Sequence, residues 1–177
     1  MTTVRTHDDG GLGLIELIVA VVVSGVLLVA IASIFFNSWK AQEEVTSVTQ
    51  ATNRGQVVGS AIERAVRNGV YYEVSGSGTI LRVSTSLGGD LKCQGFRLTA
   101  DGTAQFATGS SSLPANATSW ADWQDGIRSQ GSTPYFDDSV PGVIAYAFEI
   151  DTDSTPVRFA GKVSPRSVQE GDSDSCW

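Results

Sequence analysis

The longest apolar stretch of the chain lies near its N-terminus, in residues 17–36, which read "LIVAVVVSGVLLVAIASIFF". It contains no charged residue and no proline, and only Ser24, Gly25 and Ser33 interrupt the aliphatic run. Twenty helical residues cover the roughly 30 Å hydrocarbon core of a bilayer. Because a helix in a globular core seldom stays apolar on every face, the pattern predicts a membrane-spanning helix, which we place at residues 12–36.

A second helical pattern follows in residues 37–68, which contain no proline. Small and apolar residues recur there at three- and four-residue steps, namely Val48, Ala51, Gly55, Val58, Ile62 and Ala65. This spacing gives an amphipathic helix one narrow apolar face. Asn68 and Gly69 are typical of a helix C-terminus. The pattern therefore predicts one helix from Leu12 to Asn68, with its second half packed against a sheet.

From residue 69 onward the helical period gives way to short runs that are typical of strands, each bounded by Gly, Ser or Asp. Asp101 and Gly102 form a two-residue hairpin signal, and "GVIAYAFEID" with "PVRFAGKVSP" predicts a second hairpin around residues 152–155. Residues 108–142, rich in Ser, Gly, Pro and Asp, are predicted to be a long loop with one helical turn. The fold class is therefore α+β, a long N-terminal helix packed on an antiparallel sheet head at residues 69–177.

Four aromatic residues lie in or near the predicted long loop: Trp120, Trp123, Tyr135 and Phe136. They have two interpretations. They form a small core beneath the loop, or they form a contact surface for a neighbouring protein or a ligand, since Trp and Tyr are common interface anchors. The sequence leaves both open.

Composition narrows the function classes. The formal net charge of −7 disfavours nucleic-acid binding, which requires a basic patch, and no Lys/Arg cluster is present. The one histidine, His7, precedes the apolar stretch, and there are two cysteines. These residues provide little for metal or nucleophilic catalysis, so the chain is not expected to be an enzyme. Its 177 residues suit one domain with an appendage.

Glu16 stands at the start of the apolar run. A carboxylate near the middle of a membrane costs about 2.5–3.5 kcal/mol, and less near the interface. In a plain signal anchor the carboxylate would have no partner to offset this cost. The same is true of a secretory signal that is cut after the small residues 30–32, before Ser33. A third possibility is a cut between Gly11 and Leu12. The new amine of Leu12 would then pair with Glu16 of a neighbouring copy and fix the register of assembly.

The segment "G-LGLIE-LIVAVVVSGVLLVAI" resembles the signal of type IV prepilins and type II secretion pseudopilins. In that family a peptidase cuts after a glycine, the new first residue is N-methylated, and the fifth mature residue is glutamate. The resemblance implies a cleaved leader at residues 1–11, cleavage between Gly11 and Leu12, methylation of Leu12, and an assembly salt bridge from Glu16. Leu12 stands where the family usually has Phe, and Gly13 where it commonly has Thr or Ser.

The same resemblance implies the partners: the prepilin peptidase, other pilin or pseudopilin subunits, an inner-membrane assembly platform and the lipid bilayer. It implies a pilin-like fold, with a single-pass helix in the cytoplasmic membrane and the head outside, and later a pilus or pseudopilus at the cell surface. The stretch "AIERAVRNG" is also similar to the J-like or W-like minor pilins, which favours a minor structural subunit. The alternative is a membrane-anchored or secreted ligand-binding domain.

Cys93 and Cys176 are expected to form a disulfide, because pairing is the default for two cysteines outside the cytoplasm. The alternative is two independent buried thiols. Many pilins fasten their C-terminal region in this way, so the resemblance also favours the pair.

Four aspartates occur in alternating pairs near the C-terminus: Asp151 with Asp153, and Asp172 with Asp174. Oxygen ligands at this spacing are candidates for Ca²⁺, and the major pseudopilins that the chain resembles bind calcium through a loop. Solvated turn residues are the favoured interpretation, since no EF-hand pattern follows. No cofactor is therefore expected.

Overall fold

The structure is a computed structural model that describes residues 13–87, 90–166 and 176–177. Its first element is α1 (Leu14–Arg67), which confirms the single long helix expected between residues 12 and 68. The strands are β1 (Gly69–Ser75), β2 (Ile80–Leu87), β3 (Asp90–Leu98), β4 (Thr103–Gly109), β5 (Ala121–Asp125), β6 (Ile127–Arg128), β7 (Phe136–Asp137), β8 (Ile144–Ile150) and β9 (Val157–Val163). The α+β fold class is therefore confirmed.

The chain divides into two compact units, which meet in sequence between Glu43 and Glu44. The described part of the first unit, residues 13–43, is helical from Leu14 onward, and every one of its residues is exposed. Leucine, isoleucine, valine and phenylalanine dominate it up to Phe36. It therefore has no hydrophobic core of its own among the described residues.

The second unit begins with the remainder of α1, which ends at the predicted stop signal. The backbone N–H and the side-chain amide of Asn68 both donate to the carbonyl of Arg64, at 3.3 and 2.8 Å. These bonds satisfy a carbonyl that the helix end would otherwise leave without a partner. Arg64 and Arg67 lie in the last turn, where positive charge is favourable. Gly69 then starts β1 directly.

One sheet is a five-stranded antiparallel meander in the order β1-β2-β3-β4-β5. The hairpin between β3 and β4 turns at Gly102, whose φ of +96° favours glycine, as the Asp101-Gly102 signal predicted. β2 is paired with β3 along its whole length, from Ile80 opposite Arg97 to Leu87 opposite Asp90. The predicted strands of this region are confirmed.

The second sheet is built around β8, to which β6, β7 and β9 all pair antiparallel. β9 pairs with β8 over its full length, from Ile144 opposite Val163 to Ile150 opposite Val157, which confirms the second predicted hairpin. The prediction of one long loop at residues 108–142 was wrong in part. That segment contains β5, β6 and β7 as well as a 3₁₀ turn at Ala117–Ser119. These strands are short and rich in charged and polar residues, so the sequence carries no clear period there.

The core of the second unit lies where α1 meets the two sheets. Buried side chains of the helix, the meander and the second sheet form one cluster, which includes Val58, Ile62, Val66, Leu81, Val83, Phe96, Leu98, Ile127, Ile144, Phe148 and Ile150. All six predicted positions of the helix stripe are buried or half-buried. Gly55 allows the closest approach, because a Cβ there would lie 2.0 Å from the ring of Phe159.

Candidate functional site

The first turn of α1 holds the candidate assembly residue. The carbonyl of Gly13 accepts hydrogen bonds from the N–H groups of Glu16 (2.9 Å) and Leu17 (3.2 Å), so Glu16 lies in the first turn. A carboxylate is favoured there, because the N-terminal end of a helix carries partial positive charge. The Glu16 side chain is exposed and therefore accessible to another molecule. The predicted cleavage and methylation residues, Gly11 and Leu12, lie outside the described residues, as does the predicted leader.

Around and beyond Glu16, the helix presents a continuous apolar surface. Its large hydrophobic side chains are between 48% and 80% exposed, namely Leu14, Ile15, Leu17, Ile18, Val19, Val21, Val22, Val23, Val26, Leu27, Leu28, Val29, Ile31, Ile34, Phe35 and Phe36. The helix is long and apolar enough to cross a membrane. An exposed apolar surface of this extent requires lipid or other apolar helices around it.

The apolar surface ends in an aromatic group. The rings of Phe35 and Trp39 meet edge to face at 5.9 Å, and the Trp39 indole N–H donates to Glu43 at 3.0 Å. Lys40 follows directly. Tryptophan and lysine are typical of the boundary between hydrocarbon and water. The sequence therefore places a second polar boundary at the opposite end of the apolar stretch from Glu16.

A disulfide joins Cys93 of β3 to Cys176, the pairing that the sequence favoured, with Cα atoms 5.4 Å apart. Both cysteines are fully buried. The carbonyl of Cys176 also accepts from the N–H of Leu113 at 2.8 Å. The bond lies in a second hydrophobic cluster with Leu113, Ala117 and Trp120. This cluster fastens the C-terminal end of the chain to β3.

The last residue, Trp177, was not singled out by the sequence, and the structure gives it two contacts. Its indole N–H donates to Glu73 at 2.8 Å, and its ring packs 5.9 Å from Tyr71. Glu73 also pairs with Arg82 at 3.3 Å, and Arg82 lies over the ring of Trp120 at 5.9 Å. Since these groups come from distant parts of the chain, no local pattern marked them.

The four aromatic residues of the predicted loop pack within the second unit. Trp120, Tyr135 and Phe136 are at most 4% exposed, and Trp123 is half-buried. The Trp120 indole donates to the carbonyl of Pro114 at 3.1 Å, and the Tyr135 hydroxyl donates to the carbonyl of Thr99 at 3.0 Å. Burial raises the pKa of Tyr135. These positions favour the packing interpretation over the contact surface.

The calcium candidates are divided between described and undescribed residues. The carboxylate of Asp151 forms an ion pair with Arg128 at 2.6 Å. The backbone N–H of Asp153 donates to the Ser47 hydroxyl at 3.0 Å. The described residues contain no group of three or more His, Cys, Asp or Glu side chains placed to hold a metal ion. Asp172 and Asp174 lie outside them. The interpretation of all four aspartates as solvated turn residues therefore stays a prediction.

A groove of about 710 Å³ lies between the second half of α1 and the second sheet. Val57, Ser60 and Glu63 of α1 line one side, and Tyr146 and Phe159 the other. The Tyr146 hydroxyl donates to Glu63 at 2.8 Å. Burial, followed by the hydrogen bond and the negative charge of Glu63, raises the pKa of Tyr146 to about 12. The hydroxyl is therefore a neutral donor.

No family model, curated protein or solved structure matches the chain. Its function is therefore inferred from its own residues and geometry, beginning with the first turn of α1.

Proposed function

We propose that the chain is a prepilin-like structural subunit of a type IV pilus or a type II secretion pseudopilus. The observation that carries the proposal is the placement of Glu16 in the first turn of an exposed apolar helix, four residues after Leu12. In a membrane anchor alone this carboxylate would gain only the attraction of the helix N-terminus. In an assembly of such helices it would also gain an ion pair, if a cation lies opposite.

Cleavage between Gly11 and Leu12 would supply that cation. The new α-amine of Leu12 would lie four residues before Glu16 in sequence. When two helices stack with a small axial offset, the amine of one reaches the carboxylate of the other, and each charge neutralises its partner in an apolar layer. The exposed aliphatic residues that follow supply the remaining helix contacts. The pair would thus set the register of assembly.

The proposed rank is that of a minor subunit, on the similarity of "AIERAVRNG" to J-like and W-like minor pilins. The partners are the prepilin peptidase, neighbouring subunits and the inner-membrane assembly platform. The chain would first lie in the cytoplasmic membrane, with residues 37–68 continuing into a head at residues 69–177, and later enter a pilus or pseudopilus. A disulfide at Cys93 and Cys176 agrees with a head outside the cytoplasm.

Mass spectrometry of the mature N-terminus tests the proposal directly. The chain is expressed in a host with and without a prepilin peptidase, and the N-terminal peptide is sequenced. A peptidase-dependent start at Leu12 is expected, and methylation of Leu12 is read from the same spectrum. A start at Ser33 would instead indicate a secreted domain, and an intact Met1 a plain anchor. Either result would overturn the proposal.

A Glu16→Val variant tests the pairing. The variant is expected to insert and to be cleaved as before, but to enter sheared filaments or pseudopili poorly, because the Leu12 amine of its neighbour has no partner. A Ser24→Ala change in the same apolar run leaves the charge in place and serves as the matched control. Incorporation of Glu16→Val at the level of Ser24→Ala would count against the salt bridge.

A further inference from the structure

The outer edge of β9 carries backbone groups that the second sheet does not use. The N–H groups of Ala147, in β8, and of Asp151, directly after it, donate to the carbonyls of Tyr135 and Gly126. The backbone N–H and C=O groups of the odd-numbered residues of β8 therefore point towards β6 and β7. In an antiparallel pair the bonding direction alternates along the strand. The backbone groups of the even-numbered residues of β8 therefore form the hydrogen bonds to β9, where Phe159 and Gly161 are among their partners. Hence the backbone groups of Arg158, Ala160 and Lys162 point away from the sheet.

Within the described residues no strand pairs with this outer edge of β9. On the side of β9 that faces α1, Gly55 packs on Phe159, and the adjoining flank of the helix borders the groove described above. Val57 on that flank is 46% exposed. The unpaired edge of β9 therefore lies beside a groove whose lining includes the apolar side chains of Val57 and Phe159 as well as the polar Ser60 and Glu63.

The edge also carries charge. Arg158 and Lys162 lie four residues apart on β9 and point to the same face, opposite the helix, where both are exposed. Arg158 reaches Glu149 of β8 at 3.4 Å, but its side chain remains 78% exposed. Lysine on an edge strand discourages pairing between like edges. Two cations on one face instead favour a strand that carries acidic residues on the same face.

We propose that the outer edge of β9 binds an extended acidic segment of another protein by strand addition. The added strand would exchange hydrogen bonds with the backbone of Ala160 and place alternate apolar side chains against Val57 and Phe159. Its acidic side chains would lie on the opposite face, beside Arg158 and Lys162. That the partner is a neighbouring subunit rests on the proposed function, whereas the binding site itself does not.

The probe is a fluorescent hexapeptide of alternating valine and glutamate, titrated against the full chain in detergent micelles and followed by fluorescence anisotropy. Saturable binding is expected, and it should weaken as salt screens the charges. The control peptides replace glutamate with lysine, or carry N-methyl groups on the amides that would face β9. The proposal is overturned if the valine–glutamate peptide binds no more tightly than either control.

Two variants locate the site. Ala160→Pro removes the outward N–H, and Lys162→Glu reverses one edge charge. Each should weaken peptide binding about fivefold or more, the change expected when one hydrogen bond or close charge contact is lost. Lys92→Glu, an exposed reversal on β3 of the other sheet, is the matched control and should bind as the parent does.

Near-ultraviolet circular dichroism checks that each variant is folded. If Ala160→Pro does not fold, Lys162→Glu and the N-methylated peptide still decide the question. Equal losses in Lys162→Glu and Lys92→Glu would place the peptide elsewhere and overturn the assignment. Because the peptide is titrated against the uncleaved chain, this outcome is independent of whether Leu12 becomes the first residue.

Discussion

Gly55 of α1 lies directly against the ring of Phe159 in the second sheet. A Cβ at this position would lie 2.0 Å from the Phe159 ring, which itself stacks on Phe148 at 5.3 Å. Valine has a higher helix propensity than glycine by less than about 1 kcal/mol, but the overlap of its side chain with Phe159 would force that ring out of its stack. We expect Gly55→Val to lower the free energy of unfolding by about 1–3 kcal/mol, the usual cost of overpacking. Denaturant unfolding of the full chain in detergent measures it.

Two other helix glycines provide the controls for this prediction. A Cβ at Gly59 would approach the Tyr146 hydroxyl at 3.2 Å, and one at Gly25 would meet nothing within 4 Å. Gly59→Ala should therefore have a small effect and Gly25→Ala should not destabilise the second unit. A Gly55→Val variant as stable as Gly25→Ala would show that the contact at Phe159 has no energetic importance.

Tyr146 links the second sheet to α1 through a hydroxyl that has to stay protonated. Its pKa is raised from 10 to about 12, first by burial and then by Glu63. Because the folded state holds the proton more tightly than the unfolded state, this contribution to stability is complete below pH 10. It is lost as the pH rises towards 12. Denaturant midpoints measured across this window should fall, and Tyr146→Phe should remove that part of the fall.

A Tyr72→Phe variant in the other sheet controls for the loss of a phenol. It should keep the alkaline decrease in stability that the parent shows. If Tyr146→Phe and the parent lose stability in parallel between pH 10 and about 12, the hydrogen bond to Glu63 is not its source.

The disulfide connects β3 to the end of the chain across a sequence separation of 83 residues. Loop-closure entropy sets an upper value of about 4–5 kcal/mol for such a bond, and measured values are commonly about 2–4 kcal/mol. We expect the double variant Cys93→Ala/Cys176→Ala to lower the free energy of unfolding by about 2–4 kcal/mol. The comparison is made by denaturant unfolding without reductant, and reductant should bring the parent close to the double variant.

The prediction about the disulfide can also be tested by the rate at which its two sulfurs are modified, because both are buried. Since Cys93 and Cys176 are fully buried, treatment with a mild reductant and an alkylating agent should yield alkylated cysteines slowly under native conditions and quickly in denaturant. A double variant as stable as the parent would mean that Leu113, Trp120 and Trp177 hold the C-terminal end without the bond.

The elements differ in how far the sequence predicts them. α1 and the two hairpins carry strong periodicity and clear turn residues, so their existence and approximate bounds follow from local pattern. β5 pairs with β4 through an irregular register between Ala104 and Gln105. That irregularity breaks the alternation that would have marked it as a strand. Pairing in the tertiary structure, rather than local preference, decides whether β5 forms.

The sequence alone predicts Glu16 but not the contacts that tie α1 to the second sheet. Glu16 is visible in sequence because one charge interrupts an apolar run, and its proposed partner belongs to another copy of the chain. The contact between Tyr146 and Glu63 joins residues 83 positions apart, and no spacing rule predicts such a pair. The same holds for Trp177 with Glu73. Their partners are set by how α1 and the sheets pack together.

The hydrophobic clusters and the exposed apolar surface lie in different units of the chain. The main hydrophobic cluster draws its buried residues from Ala51 onward, and the disulfide cluster draws them from Cys93 onward. The exposed aliphatic surface lies before Trp39. Residues 44–177 should therefore fold without the apolar helix, whereas the full chain should need detergent or lipid to stay dispersed.

Expression of residues 44–177 in an oxidising compartment tests this division. The fragment should be soluble in plain buffer and should form the Cys93–Cys176 bond. Its free energy of unfolding should lie within about 1 kcal/mol of the full chain in detergent, as expected when only exposed side chains are removed. Gel filtration, thiol titration and denaturant unfolding give the three readouts. A fragment that aggregates, or that unfolds several kcal/mol more easily, would show that residues before 44 take part in the core. In that case the apolar helix would also contribute to the stability of the second unit.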